Sequence, residues 1–259
     1  MSYEAIEYGV EDAVAVITFN RPEQLNALNA TLLQEFRRAL EDAAADDAVR
    51  AVLVRATGRA FSSGADLKEG FDSGMDTATA LRTNYHPVVQ AMRSIEKPVI
   101  AAVQGLAAGA GASMALAADM IIAAESASFQ QIFTNIGLVP DAGSTYMLPR
   151  LVGRARALGA VLTGEAVPAA EAERWGMIWK VVPDAELDDA ARELAGTLAA
   201  RPTRALGLAK RILDEAEGND LATQLELEAE TQLKVQGTAD FAEAVQAFLQ
   251  KRKPEFVGR

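Results

Sequence analysis

Apolar residues in the first half of the chain occur in short runs that alternate with helix-spaced stripes. The strand-like runs, rich in Val, Ile and Ala, cover residues 5–10, 13–19, 51–56, 98–103 and 120–124. Between them, apolar positions recur at helical spacing over 31–45, 79–95 and 109–118. Asn29 stands where the first of these helices needs an N-terminal cap. Strands that alternate with helices at this spacing predict an α/β architecture.

The second half of the chain has a different pattern, because helical spacing dominates from Ser144 onward. One strand-like stretch remains at 178–182, and the helical segments cover 184–200, 203–216, 220–235 and 240–251. We therefore expect an α/β core over residues 1–200 and a C-terminal helical extension over 201–259. The extension carries more apolar stripes than one finished core needs, which favours oligomerisation, although packing on the same chain would use them equally well.

Composition and charge narrow the chemistry. The chain has 259 residues, a formal net charge of −11, no cysteine and one histidine. So acidic a chain is unsuited to binding a phosphate backbone, which argues against a nucleic-acid partner. The lack of cysteine excludes disulfides, thiolate nucleophiles, iron–sulfur clusters and cysteine-based zinc sites, and a Ser-His-Asp triad would have to use His86. Carboxylates, hydroxyls and backbone dipoles remain, and we expect no bound metal.

One stretch requires a membrane test. Residues 99–118 form a run of 20 without charge that contains Gly105 and Gly109 at the spacing of membrane helix dimers. Ala and Gly dominate the run, however, and Pro98 and Gly105 divide it into a short strand and a later helix. The first 19 residues also lack the basic and apolar regions of a signal peptide. We expect a cytoplasmic protein without a membrane span.

Three segments could carry chemistry. The loop FSSGADL, residues 61–67, follows a predicted strand and could present backbone N–H groups to an anion or a carbonyl oxygen; an ordinary loop is the alternative. The second segment, 99–119, leads through Gly109 into a helix start whose first N–H groups lack partners, or it serves only close helix–strand packing. In the third, 138–153, propensity alone makes Asp141 a turn residue.

Taken together and in this order, these segments resemble the crotonase, or enoyl-CoA hydratase/isomerase, superfamily. The resemblance covers essentially the whole chain and is carried by FNRPEQLNAL (19–28), FSSGADL (61–67), KPVIAAVQGLAAGAG (97–111), the turn at Pro140, LTGEAVPAAEAERWGMIWKVV (162–182) and FLQKRKPEF (248–256). It implies a spiral of ββα units with a C-terminal helical trimerisation region, assembled as a homotrimer or as a hexamer of two trimers. The implied partner is an acyl-CoA thioester, with coenzyme A as part of the substrate and no prosthetic group.

The resemblance also implies roles for individual residues. The backbone N–H groups of Ala65 and Ala110 correspond to the family's oxyanion hole, which stabilises the enolate formed from a thioester. The remaining residues of the implied coenzyme A site are Leu25, Ser63, Gly64, Asp66, Leu67 and Gly109. Lys253, beside Lys251 and Arg252, could reach coenzyme A phosphates of a neighbouring subunit, or the three could form a solvated helix end.

Departures from the family pattern indicate the reaction. The two glutamates with which the family's hydratases activate water are expected at Phe133 and Gly159, and neither position is acidic. The segments PDAG (140–143), GRARALG (153–159) and WGMIWKVV (175–182) resemble the family's isomerases and make Asp141 the single acid/base residue. The implied reactions are isomerisation of 1,2-epoxyphenylacetyl-CoA to an oxepin-CoA and the shift of a cis-Δ3 enoyl-CoA to the trans-Δ2 form. Hydration of an enoyl-CoA, or a non-catalytic CoA-binding subunit, are the alternatives.

Overall fold

The strands alternate in chain order with helices, as the sequence predicts. The computed structural model describes residues 3–72 and 74–259. The strands in these residues are β1 (Ile6–Glu11), β2 (Val14–Phe19), β3 (Ala51–Ala56), β4 (Ala60–Ser62), β5 (Val99–Val103), β6 (Leu106–Ala108), β7 (Met120–Ala124), β8 (Ser128–Gln130), β9 (Ala166–Pro168) and β10 (Lys180–Val182).

The helices are concentrated in the second half of the chain. Their bounds are α1 (Ala30–Ala45), α2 (Leu67–Asp72), α3 (Thr77–Ala80), α4 (His86–Ser94), α5 (Ala110–Leu116), α6 (Ser144–Val152), α7 (Arg154–Thr163), α8 (Ala169–Trp175), α9 (Leu187–Ala199), α10 (Thr203–Ala216), α11 (Leu221–Gln236) and α12 (Ala239–Gln250). Single turns of 3₁₀-helix lie at Pro22–Gln24 and Asp184–Glu186, and a longer 3₁₀ segment spans Ile132–Ile136.

The larger sheet has the strand order β1-β2-β3-β5-β7-β10. Only its β1–β2 pair is antiparallel; the other neighbours are parallel. All residues of β2 and β5 are buried, as expected for parallel strands covered on both faces. Helix α1 packs against this sheet, and the ring of Phe36 meets that of Phe19 edge to face at 5.0 Å.

A second, four-stranded sheet of order β4-β6-β8-β9 accompanies the first. The chain passes three times from a strand of the large sheet to one of the small sheet and then to a helix: β3-β4-α2, β5-β6-α5 and β7-β8-α6. This repetition is the expected spiral of ββα units. The prediction of a loop over 61–67 is wrong at its first two residues, which belong to β4 (Ala60–Ser62). The other small-sheet strands were not predicted, because three residues are too few to show a pattern.

The helix predicted over 79–95 is interrupted. Between α3 and α4 the chain forms a π-helical turn, Leu81–Tyr85. Pro87, at the start of α4, has no N–H to continue the hydrogen-bond ladder of the preceding turn. A π turn is a local widening that is frequent at functional sites, and here it directs Tyr85 into the interior, where 9% of the residue is exposed.

The C-terminal segment folds back onto the core. Arg50, just before β3, donates hydrogen bonds to the carbonyl of Phe256 (2.6 Å) and to the hydroxyl of Thr203 (3.0 Å). The buried Asp240 accepts the backbone N–H groups of Val257 and Gly258. Large apolar side chains of the helices remain exposed in the single chain, among them Leu221, Leu225, Leu233, Phe248 and Leu249.

No helix in the described stretches of the chain combines the length and the apolar character needed to cross a bilayer.

Candidate active site

The first predicted N–H donor lies on a short parallel ladder. Leu28 donates its N–H to the carbonyl of Gly64 (2.8 Å), and its own carbonyl accepts the N–H of Asp66 (3.0 Å). In a parallel pairing of this kind, the residue between the two bonded ones directs its own N–H away from the partner strand. Ala65 is that residue, and it is exposed. Its N–H therefore points to where a ligand can approach.

The second predicted donor lies against the first. Gly64 has a φ of +97°, and a Cβ placed on it would stand 2.9 Å from the carbonyl oxygen of Ala108 and 3.5 Å from the amide nitrogen of Ala110. Only glycine fits this close approach. Ala110 begins α5 directly after Gly109, whose φ is +50°, so the Ala110 N–H has no partner within its helix. The structure thus brings together the two backbone segments that the family resemblance assigned to one oxyanion hole.

A buried amide supports the segment before this ladder. Asn26 is fully buried and donates to two backbone carbonyls, one of them that of Ala60 (2.9 Å). The backbone carbonyl of Asn26 accepts a hydrogen bond from the hydroxyl of Ser62 (2.8 Å). The N–H of Ser63 donates to the backbone carbonyl of Leu25 (2.9 Å). Leu25 and Ser63, both predicted coenzyme A contacts, are therefore neighbours. The sequence did not single out Asn26, since asparagine in a polar stretch indicates a turn.

Asp66 has a structural partner. Its carboxylate forms an ion pair with Arg21 (3.0 Å) and accepts the N–H of Glu69 (3.3 Å). Burial alone would raise the pKa of Asp66, but these hydrogen bonds outweigh it, so the pKa lies below its ordinary value. The side chain is ionised and holds the loop, while the adjacent Leu67 remains about half exposed.

Asp141 occupies a tight turn before α6. Ala142 and Gly143 both have positive φ, and the N–H of Ser144 closes the turn on the carbonyl of Asp141 (3.0 Å). The Asp141 Oδ1 atom is buried and has no hydrogen-bond partner among the residues described. Burial raises the pKa of Asp141 to about 6. A carboxyl group with a pKa near neutrality can both accept and return a proton.

Tyr85 is a buried phenol beside the Leu28 ladder. Its hydroxyl donates to the carbonyl of Leu28 (3.2 Å). Burial, followed by the charges of Asp141 and Asp66, raises the pKa of Tyr85 above its ordinary value. The Asp141 turn packs beside helix α4, which Tyr85 directly precedes, because a Cβ on Gly143 would stand 3.4 Å from Cγ1 of Val89.

Apolar groups line the turn at Gly109. A Cβ on Gly109 would stand 3.4 Å from Cγ1 of Ile132 and 3.9 Å from Cζ of Phe133, and Phe133 is 5% exposed. One helical turn after Gly109, Ser113 is buried and its hydroxyl donates to the Gly109 carbonyl (3.3 Å). The expected position of one hydratase glutamate, Phe133, therefore lies at the site and presents an aromatic ring.

Gly159 lies elsewhere. It belongs to α7, where a Cβ would meet no atom within 4 Å, and it lines a surface cavity of about 470 Å³ together with Arg156 and Trp175. None of the predicted site residues lines that cavity. The expected equivalence of Gly159 with a hydratase glutamate gains no support from this position.

Lys253 is not brought to the other site residues within one chain. It follows α12, is exposed, and precedes the segment held by Arg50 and Asp240. The neighbouring Arg252 pairs with Glu243 of the same chain, and this hydrogen bond lowers the pKa of Glu243 to about 2. A contact of Lys253 with coenzyme A of a neighbouring subunit remains a prediction.

Across residues 3–72 and 74–259, no three His, Asp or Glu side chains gather in a way that could hold a metal ion.

The chain is similar to known proteins over its whole length. Residues 9–259 match the family model described as enoyl-CoA hydratase/isomerase. A Rhodobacter capsulatus protein named "Probable enoyl-CoA hydratase" is 49% identical over all of both chains. The 1,2-epoxyphenylacetyl-CoA isomerase of Escherichia coli is 44% identical over 96% of this chain and 97% of its own. The crystal structure of an enoyl-CoA hydratase from Bacillus anthracis superposes with a TM-score of 0.93 at 35% identity, covering 99% of this chain and 100% of that one.

Proposed function

Because the chain belongs to the enoyl-CoA hydratase/isomerase family and has the crotonase fold, we propose that it is an acyl-CoA isomerase with Asp141 as its acid/base residue. One observation carries this proposal. The Asp141 carboxyl group is largely buried, has an oxygen without a hydrogen-bond partner among the described residues, and has a pKa of about 6. An unpaired buried carboxyl is costly to keep, which is expected of a group that serves catalysis.

The proposed mechanism uses two backbone donors and one carboxylate. The N–H groups of Ala65 and Ala110 hold the thioester oxygen and stabilise the negative charge it gains when a proton leaves the adjacent carbon. The Asp141 carboxylate takes that proton from C2 of a 3-enoyl-CoA and returns it to C4, while the double bond moves from C3–C4 to C2–C3. The proton that Asp141 receives is the proton it gives back, so no second acid is required.

Two acyl-CoA substrates fit this chemistry, and the first choice is 1,2-epoxyphenylacetyl-CoA. Its isomerisation to an oxepin-CoA also begins next to the thioester and releases no fragment, so the same carboxylate and the same donors would serve. The resemblance to the Escherichia coli isomerase supports it. The second is a cis-3-enoyl-CoA. The apolar surroundings formed by Ile132 and Phe133 are compatible with either acyl group.

Hydration is the second candidate, and the name of the Rhodobacter capsulatus relative favours it. Adding water to a double bond requires one group to deprotonate the water and another to protonate the carbon. Phe133, at the position expected for a hydratase glutamate, supplies neither. A binding subunit without activity is the third candidate, and the unpaired Asp141 oxygen argues against it.

The test incubates the purified protein with cis-3-hexenoyl-CoA and, in parallel, with crotonyl-CoA. Ultraviolet absorbance reports conjugation of the first substrate, and the mass of one added water reports hydration of the second. We expect conjugation without hydration. Asp141→Asn should bind acyl-CoA but lose about a hundred- to ten-thousandfold in kcat, whereas Asp12→Asn, on an exposed turn, should not change it.

Rapid hydration of crotonyl-CoA would replace the isomerase proposal with the hydratase. Full activity of Asp141→Asn would remove Asp141 from the mechanism. Binding of acyl-CoA without turnover of either substrate, or of 1,2-epoxyphenylacetyl-CoA, would indicate the binding subunit.

A further inference from the structure

A buried hydrogen bond between two side chains joins the Asp141 turn to the residue after β8, the strand that accepts the N–H of Gly109. The Ser144 hydroxyl donates to Oε1 of Gln131 over 2.9 Å. Ser144 is 0% exposed and Gln131 is 4% exposed. Two polar groups are kept out of water only at a cost that their mutual hydrogen bond offsets. A core position does not need this pair, because two apolar side chains would fill it without that cost.

The pair connects the two halves of the site. On one side, the N–H of Ser144 closes the Asp141 turn. On the other, Gln131 directly follows Gln130 of β8, whose carbonyl accepts the N–H of Gly109 (2.8 Å). Gly109 in turn precedes Ala110. The path from the carboxyl group to the second donor therefore runs through one side-chain hydrogen bond and two backbone ones.

The turn also needs an external restraint. Ala142, between Asp141 and Gly143, has a φ of +49°, a left-handed conformation that costs a residue with a Cβ about 1 kcal/mol or more. Such strain persists only where the surroundings impose it. Val89 and Met147 pack against Gly143, and the Ser144 hydroxyl fixes the position that follows.

We infer that Ser144 and Gln131 are positioning residues that set the Asp141 carboxyl group relative to the Ala110 N–H. The inference rests on the proposed function. Neither residue reaches the substrate; each acts by holding the turn. A carboxylate displaced by about 1 Å from its working position loses up to a hundredfold in rate.

The decisive variants are Ser144→Ala and the double variant Ser144→Ala/Gln131→Met. The single change leaves the Gln131 carbonyl unpaired and lowers stability, whereas the double change removes both polar partners and recovers most of it. We expect both variants to lower kcat by about ten- to a hundredfold with KM changed less than about threefold. We also expect the acidic limb of the kcat/KM profile to move to lower pH, because a displaced Asp141 carboxyl group is less buried and its pKa falls towards the ordinary value.

Tyr3→Phe is the matched control, since it removes a side-chain hydroxyl bond to Asp42 (3.2 Å) without touching the site. Recovery of kcat together with thermal stability in the double variant would overturn the inference, and so would an acidic limb that stays in place. If the single variant does not fold, the double variant decides. An active Asp141→Asn enzyme would instead overturn the proposed function itself.

Discussion

The hydroxyl of Tyr85 donates a hydrogen bond to the carbonyl oxygen of Leu28 over 3.2 Å. The same carbonyl accepts the N–H of Asp66, and the N–H of Leu28 donates to Gly64. The buried phenol of Tyr85 is therefore hydrogen-bonded to Leu28, the residue whose backbone is bonded to both neighbours of Ala65. Because burial and the charge of Asp141 raise the pKa of Tyr85, the phenol stays protonated and acts as a donor.

Tyr85→Phe should reduce kcat/KM by about fivefold and stability by about 1 kcal/mol, the typical net value of one hydrogen bond. The loss in stability is small because the Leu28 carbonyl keeps its bond from Asp66. Steady-state kinetics and urea unfolding measure the two effects. Tyr8→Phe, on β1 at the far edge of the large sheet, is the control and should leave kcat/KM unchanged. Full kcat/KM in Tyr85→Phe would show that the ladder does not need the phenol.

The pH dependence of kcat/KM should report Asp141. As a base the carboxyl group must be ionised, so activity is expected to fall tenfold per pH unit below its pKa of about 6 and to level off above it. Initial rates with cis-3-hexenoyl-CoA between pH 4.5 and 8 measure this acidic limb of the kcat/KM profile. A limb near pH 4, the ordinary range of an aspartate, would mean that Asp141 is not the titrating group or is fully hydrated during turnover.

Replacing Asp141 should stabilise the protein at neutral pH. The pKa of about 6 in the folded state exceeds the ordinary aspartate value of 3.8, so the folded state binds more protons between these values and stability falls as pH rises through this window. A full shift of about two units corresponds to about 3 kcal/mol, which partial exposure reduces to about 1–2 kcal/mol. Urea unfolding should therefore show Asp141→Asn more stable than wild type at pH 8 and nearly equal to it at pH 3.5. A stability difference between Asp141→Asn and wild type that does not change with pH would contradict a pKa of Asp141 raised by burial.

The fold could be predicted where a segment is long enough to show a period. The strands of the large sheet and helices α1 and α9–α12 follow from patterned runs of five or more residues in the sequence. The small sheet could not be predicted, since Ala60–Ser62, Leu106–Ala108 and Ser128–Gln130 are three residues each and are specified by pairing with one another. The π turn at Leu81–Tyr85 was hidden because its apolar spacing fits an ordinary helix.

The backbone segments of the candidate site could be predicted from the sequence, whereas the buried side chains that hold those segments could not. Glycines at 64 and 109 and the Asp141 turn carry a sequence signature. Asn26, Ser144 and Gln131 do not, because a polar residue in a chain of this composition indicates exposure, and only the folded structure shows that these three are buried. The unpaired oxygen of Asp141 likewise depends on what surrounds it in three dimensions.

Gly64→Ala should abolish most activity, and Gly159→Ala should not. A methyl group on Gly64 would lie 2.9 Å from the carbonyl oxygen of Ala108, and the φ of +97° at this position disfavours any side chain. Either the Ala65 segment or the Gly109 turn must therefore move. We expect a loss of about a hundredfold or more in kcat/KM and of about 2 kcal/mol in stability. Gly159 lies inside α7 with open space around it, so alanine there should leave kcat/KM unchanged and add up to about 1 kcal/mol. Rates and urea unfolding of both variants provide the comparison. Loss of activity in Gly159→Ala at undiminished stability would show that Gly159 contributes to the site. A fully active Gly64→Ala would contradict the proposed oxyanion hole at Ala65 and Ala110.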